Sequence, residues 1–161
     1  YQTPAALARM TADHFVLLKA GPCLTNAFRE AVFALEDIEI EILKKKRDVV
    51  PSGLRRVMEQ LMREHPVHWQ SHYRGSESRL RRMRSSSRLD RIRCYWAFPE
   101  AQAALERLQR NLAPAVPAAL ASQYVPDASG PPAGGRAGIA ASVLIRRRIR
   151  AALEPYALAC R

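Results

Sequence analysis

Residues 14–35, HFVLLKAGPCLTNAFREAVFAL, constrain the fold of this chain more than any other stretch. Phe15–Leu18 is a short apolar run that ends at Lys19, and Gly21-Pro22 is strong turn punctuation. From Leu24 onward, Phe28, Ala31, Val32, Leu35, Ile38 and Ile42 fall in one stripe roughly 120° wide, the mark of a core-facing helix. The pattern predicts a buried strand, a break and a long amphipathic helix. A strand that hands directly to a helix is half of a βαβ unit, and its carboxyl end is where α/β proteins place ligands. Function is expected there first.

The rest of the chain reads as helices separated by proline and glycine. Tyr1–Asp13 predicts a helical lead-in, with Pro4 near its start. The long helix is expected to end near Lys44–Arg47, where cations complement the helix dipole. Ser52 is placed to cap a second helix whose apolar set is Leu54, Val57, Met58, Leu61 and Met62. Gly75–Leu89 is Arg- and Ser-rich and reads as a long loop or a poorly ordered helix. Pro99 opens a third helix carrying Leu105, Leu108 and Leu112, and Pro114 and Pro117 end it. Residues 129–138, SGPPAGGRAG, read as a flexible linker, and 139–161 as a terminal amphipathic helix. One strand alone would leave its backbone groups unpaired, and a complete (β/α)8 barrel needs about 250 residues. With 161 residues beginning at Tyr1, the chain reads as the end of something larger.

Composition narrows the function classes. No run approaches the roughly 18 apolar residues of a membrane helix, and no signal-peptide pattern opens the chain, so a cytoplasmic protein is expected. Cys23, Cys94 and Cys160 are widely spaced and odd in number, which predicts reduced thiols rather than a disulfide scaffold. The net charge of +11 lies wholly after Pro51, and Arg outnumbers Lys 22 to 4. That bias is equally compatible with genomic base composition and with a polyanionic partner.

Five motifs carry a resemblance. DHFVLLKAGPCLTNAFREAVFALEDIE at 13–39, LRRVMEQLMREHPVHWQSHYRG at 54–75, DRIRCYW at 90–96, SQYVP at 122–126 and AALEPYALAC at the end run in family order. The chain resembles the carboxyl-terminal part of the non-catalytic, Z-type subunit of class II D-tagatose-1,6-bisphosphate aldolase, a family whose members sometimes carry a tagatose-6-phosphate kinase label. The resemblance implies an α/β origin, the carboxyl-terminal part of a (β/α)8 barrel, mainly helical in this stretch with one or two short strands. Residues 1–128 would be the barrel portion, 129–138 the linker and 139–161 the terminal helix. It also implies a supporting role towards a catalytic aldolase subunit in galactitol, N-acetylgalactosamine or tagatose catabolism. Zinc is then expected only in that partner, with no cofactor and no catalytic residue in this chain.

Within that frame Lys19, Gly21 and Thr25 are candidates for a phosphate site, because a helix N-terminus and a lysine favour an anion. The plain alternative is a tight turn with a snorkelling lysine. Arg91 and Arg93 match the family motif and join the candidates; Asp90, Ser122, Gln123 and Tyr124 match it without a role. Asp90 among arginines reads most simply as an internal ion pair. The seven arginines of Arg79–Arg93, with Tyr95 and Trp96 just beyond, suit a sugar phosphate, a partner's carboxylates, RNA, or plain solvation. His68 and His72 have a zinc-like i, i+4 spacing, but no third ligand can be named, so no metal site is expected. Glu36, Asp37, Glu39 and Glu41 read as a solvated helix face. No Walker A sequence or G-x-S-x-G elbow occurs.

The expected function is that of a supporting aldolase subunit with a candidate sugar-phosphate site. A sugar-phosphate lyase or kinase in its own right is the alternative, and a basic RNA-binding module the second. No membrane partner is expected, and nucleic acid is not the favoured partner.

Overall fold

The computed structural model describes residues 2–44, 46, 48–113, 115–124 and 138–160. Seven α-helices account for most of them: α1 Pro4–Ala12, α2 Cys23–Leu43, α3 Leu54–Glu64, α4 Glu77–Ser86, α5 Pro99–Asn111, α6 Ala118–Tyr124 and α7 Ala141–Ala159. Short 3-10 turns lie at Pro66–His68 and Arg91–Tyr95. The long α2 is the centre of the packing, with α3, α5, α6 and α7 all laid against it, while α1 packs on α7 and α4 on α3.

The apolar stripe read from the sequence is the core. Val32, Leu35 and Ile38 of α2 meet Leu54, Met58 and Met62 of α3, Leu108 of α5 and Leu144 of α7 in one buried cluster. Each such side chain removed from water contributes about 1.5–3 kcal/mol. Local chemistry sets the ends. The Thr3 hydroxyl caps α1 by accepting the Ala6 N–H at 3.1 Å, with Pro4 in the first turn. Pro99 opens α5 in the same way.

Two expectations are corrected, and one left open between loop and helix is decided. Phe15–Leu18 is not a strand, and the described residues contain no strand, only an isolated antiparallel bridge in which Val116 and Ile139 exchange N–H···O bonds of 2.9 and 2.8 Å. A strand needs a neighbour, and no described residue forms a bridge with residues 15–18. The apolar run is therefore exposed on both faces, with Phe15 at 56 %, Val16 at 101 % and Leu17 at 82 % of their full accessibility. Gly75–Leu89 contains α4, whose Arg84 side chain is buried and donates to both Glu59 of α3 and Glu77 of its own first turn at 2.6 Å. Its guanidinium also lies 5.0 Å from the Trp69 ring centre. Long-range pairing, invisible to local composition, makes that segment a helix.

Glu36 and Glu39, expected to be solvated, are buried. Glu39 accepts from the Ser52 N–H and hydroxyl and from the Asn111 amide. Glu36 accepts from the Arg55 N–H at 3.1 Å. Together they hold the start of α3, so Ser52 is a donor to Glu39 and Gly53, at φ 61°, takes the N-cap position. Burial pushes the Glu36 carboxyl up, opposed by the Arg55 N–H and guanidinium.

Of the expected linker, residues 129–137 lie outside the described residues. Gly138 is described, and a Cβ there would come within 2.6 Å of the Val116 carbonyl oxygen, so the bridge to Ile139 requires glycine. From there α7 begins within two residues of the expected start and buries Leu144 and Ile145 in the common core.

Candidate functional site

The turn that starts α2 forms one wall of a cleft. Gly21, at φ 58°, adopts the left-handed conformation that reverses the chain before Pro22. Lys19, Ala20, Gly21 and Pro22 face Ser87, Arg88 and Leu89 across a space of about 440 Å³, with Gln2 and Tyr156 completing it. A second space of about 400 Å³ shares Gln2, Arg88 and Tyr156 and extends between α2 and α7 past Cys23, Asn26, Glu30 and Arg148. The two share those three residues as one groove, with Lys19 at one end and Arg88 where the spaces meet. At the other end Arg148 donates to Glu30 at 2.7 Å, and the Asn26 amide donates to the same carboxylate at 2.7 Å.

Beside the groove lies a buried charge cluster. Asp90 is 0 % exposed, at φ 51°, and its carboxylate is 3.4 Å from the Arg29 guanidinium. Both of its oxygens lack a hydrogen bond of ordinary geometry. Burial raises the Asp90 pKa; the nearby Thr25 hydroxyl and the Arg29 and Arg93 charges lower it, and burial prevails. The expected internal ion pair of Asp90 thus has Arg29, from α2, as its close partner. Arg29 in turn donates to the Ser87 carbonyl at 3.2 Å and to the Asn26 side-chain oxygen.

The structure brings together some of the residues singled out in the sequence. Lys19 and Gly21 line the groove. Thr25 donates its hydroxyl to the Pro22 carbonyl at 3.1 Å and faces the Asp90 cluster. Arg91 contacts the His72 ring, and its N–H donates to the Tyr73 hydroxyl at 3.2 Å. Arg93 folds back onto the Leu89 and Asp90 carbonyls. Neither of the last two lines the groove. Ser122, Gln123 and Tyr124 lie on α6, away from that lining, with the Ser122 hydroxyl donating to the Ala119 carbonyl.

Arg88, Tyr156 and Gln2 were not singled out by sequence. Arg88 sits in a run of seven arginines with nothing local to distinguish it, and Tyr156 comes from the far end of the chain. The histidines disperse: His65 packs on Phe98, His68 on Tyr95, and His72 meets Arg91. No group of three or more His, Cys, Asp or Glu side chains converges on a metal position among the described residues. No described helix is long and apolar enough to cross a membrane.

The likeness to known proteins matches the motifs. In the solved structure of a probable tagatose 6 phosphate kinase from Sinorhizobium meliloti 1021, the similar part is 38 % identical and superposes with a TM-score of 0.87. It covers 99 % of this chain but 41 % of that one, so the present chain spans well under half the length of its relative. The sequence model of the family described as "D-tagatose-1,6-bisphosphate aldolase subunit GatZ/KbaZ-like" matches residues 1–161, and the chain belongs to that family.

Proposed function

We propose that this chain is the carboxyl-terminal part of a non-catalytic (β/α)8 subunit that supports a class II tagatose-1,6-bisphosphate aldolase, in the cytoplasmic catabolism of galactitol or N-acetylgalactosamine. The observation that carries the reading is the family match across residues 1–161. Phe15–Leu17 adds support: three consecutive large apolar side chains lie exposed on both faces, as in a barrel stave without its neighbours. The groove end formed by Lys19, Gly21 and Arg88 offers two cations and a glycine turn, a composition that suits the phosphate of a sugar phosphate. Lys19 and Arg88 would neutralise the anion, and Tyr156 and Gln2 would donate hydrogen bonds to it or to the sugar. Zinc belongs, in this reading, to the catalytic partner.

Co-expression with a catalytic class II aldolase subunit tests the proposal. The soluble yield and the cleavage activity of that subunit are expected to rise, and no change in either contradicts the reading. The kinase wording attached to the Sinorhizobium meliloti relative favours a second reading, phosphoryl transfer by this chain itself. Turnover of tagatose 6-phosphate by the purified chain would establish it; none is expected.

A further inference from the structure

The part of the groove between α2 and α7 holds a carboxylate that is fixed but not covered. One oxygen of Glu30 accepts the Asn26 amide, from one turn earlier in α2, and the other accepts Arg148 of α7, both at 2.7 Å. Asn26 is itself buried and its side-chain oxygen accepts from Arg29, so the support under Glu30 is held in turn. Glu30 nevertheless keeps 42 % of its side-chain accessibility and lines the space of about 400 Å³. Each of its oxygens can accept a second hydrogen bond. The same space is lined by Ala27 of α2 and by Ala151, Ala152 and Pro155 of α7, all small and apolar. Pro155 has no N–H, so the Ala151 carbonyl lacks the donor that the residue four positions on supplies in a regular helix. An apolar lining with a few fixed polar groups is the composition of a small-molecule pocket.

Acceptors call for a ligand that donates. An ammonium group is disfavoured, because Arg148 already offsets the Glu30 charge and the chain carries a net +11. Hydroxyls meet the requirement without charge, and the C–H faces of a sugar or alditol suit alanine and proline. We propose that this part of the groove is a polyol subsite, in which Glu30 accepts hydroxyl hydrogens of a sugar or alditol lying on the surface of Ala27, Ala151, Ala152 and Pro155. The inference deepens the sugar-phosphate reading of the groove, on which it rests for the choice of sugar, and its residues are separate from those of the Lys19 end. Asn26 and Arg148 hold the carboxylate before the ligand arrives, so little side-chain freedom is lost on binding. Glu30 is then a specificity-determining residue, and inorganic phosphate, which brings no sugar hydroxyls, gains nothing from it.

Isothermal titration of the full chain with D-tagatose 6-phosphate, D-tagatose and inorganic phosphate tests the proposal. The wild type is expected to bind the sugar phosphate about tenfold or more tightly than inorganic phosphate, the contribution of hydroxyl bonds to a charged acceptor. Glu30→Gln, which keeps the shape and removes the charge, is expected to weaken sugar-phosphate binding about tenfold. Ala152→Leu, which fills the space, is expected to abolish the advantage of the sugar phosphate over phosphate. Both variants are expected to leave inorganic phosphate within about twofold of wild type. Glu154→Gln, changing an exposed acid of α7 outside that lining, is expected to leave all three probes within about twofold. If either groove variant leaves sugar-phosphate binding unchanged, or Glu30→Gln weakens phosphate as much as sugar phosphate, the subsite is overturned and the phosphate reading stands. A wild type that binds the sugar phosphate no more tightly than phosphate overturns the subsite in the same way. If the wild type takes D-tagatose, loses it in Glu30→Gln and takes no inorganic phosphate, the phosphate reading falls and the subsite stands. A chain that takes none of the three probes refutes both.

Discussion

Glu39 of α2 accepts the backbone N–H of Ser52 at 2.9 Å with no solvent access, ahead of the first turn of α3. The same carboxylate takes the Ser52 hydroxyl and the Asn111 amide, so a single buried charge ties α2, α3 and α5 together. Replacing it by Ala would leave the buried Ser52 N–H and hydroxyl without that acceptor, while the Asn111 amide keeps the Val50 carbonyl. Glu39→Ala is expected to lower unfolding free energy by about 3 kcal/mol, read from urea denaturation, and Glu39→Gln by less, since the amide oxygen can still accept. Equal losses for the two variants would contradict this account of the site.

Asp90 makes stability depend on pH in an uncommon direction. Its folded pKa lies above its ordinary 3.8, so between the two values the folded state holds more protons than the unfolded one. Stability associated with this group is therefore largest at low pH and falls as pH rises through that window. Measured against Asp90→Asn, the wild type is expected to lose relative stability from about pH 4 upward, the linkage expected of a buried acid. Parallel stability curves for the two proteins between pH 3 and 7 (roughly the carboxylate range) would show that Asp90 does not titrate this way.

Arg84 anchors α4 to α3. It bridges Glu59 and Glu77 over the Trp69 ring, and its partners are partly solvated, so the pairs are worth less than fully buried ones. Arg84→Met is expected to cost about 2 kcal/mol and to speed amide exchange through Leu80–Ser86 before any other helix opens. Arg84→Lys should recover little, because an ammonium lacks the planar fork that spans two carboxylates. Uniform exchange across α3 and α4 would contradict it.

Much of this architecture was legible in local pattern. Pro4, the α2 stripe and Pro99 each announced a helix through a first-turn proline or periodicity, and α1, α2 and α5 begin within a residue or two of those signals. What escaped depends on groups far away in sequence. The residues of α4 are polar apart from Leu80 and Met83, and the helix is anchored by pairing Arg84 with Glu59, 25 residues earlier. The short α6 was hidden between Pro117 and the Gly/Pro-rich stretch, its burial resting on Ala121. Glu36 and Glu39 looked solvated because charge usually is, and only the start of α3 explains their burial. Phe15–Leu18 misled in an instructive way: an apolar run reports that a segment is suited to burial, not that its neighbours are present. At the groove, Lys19 and Gly21 could be read from turn chemistry, whereas Arg88 needed the coordinates of its loop.

The exposed apolar run Phe15–Leu17 is expected to make the isolated chain prone to association. Val16→Asp places a charge on a side chain that touches nothing. It is expected to reduce light scattering at high concentration and to change unfolding free energy by less than about 0.5 kcal/mol, as for a surface site. A large loss of stability would mean that residues 15–18 are packed in the isolated chain.

The account as a whole turns on those same residues being a barrel stave awaiting neighbours. Its most direct test is amide hydrogen exchange at Val16, Leu17 and Leu18. The chain is measured alone and then co-expressed with the portion of the Sinorhizobium meliloti relative outside the matched region. Alone, the three amides are expected to exchange at nearly the unprotected rate, and in the assembly to slow by about a thousandfold or more, as for a core strand. Unchanged exchange in an assembly that forms would contradict the account.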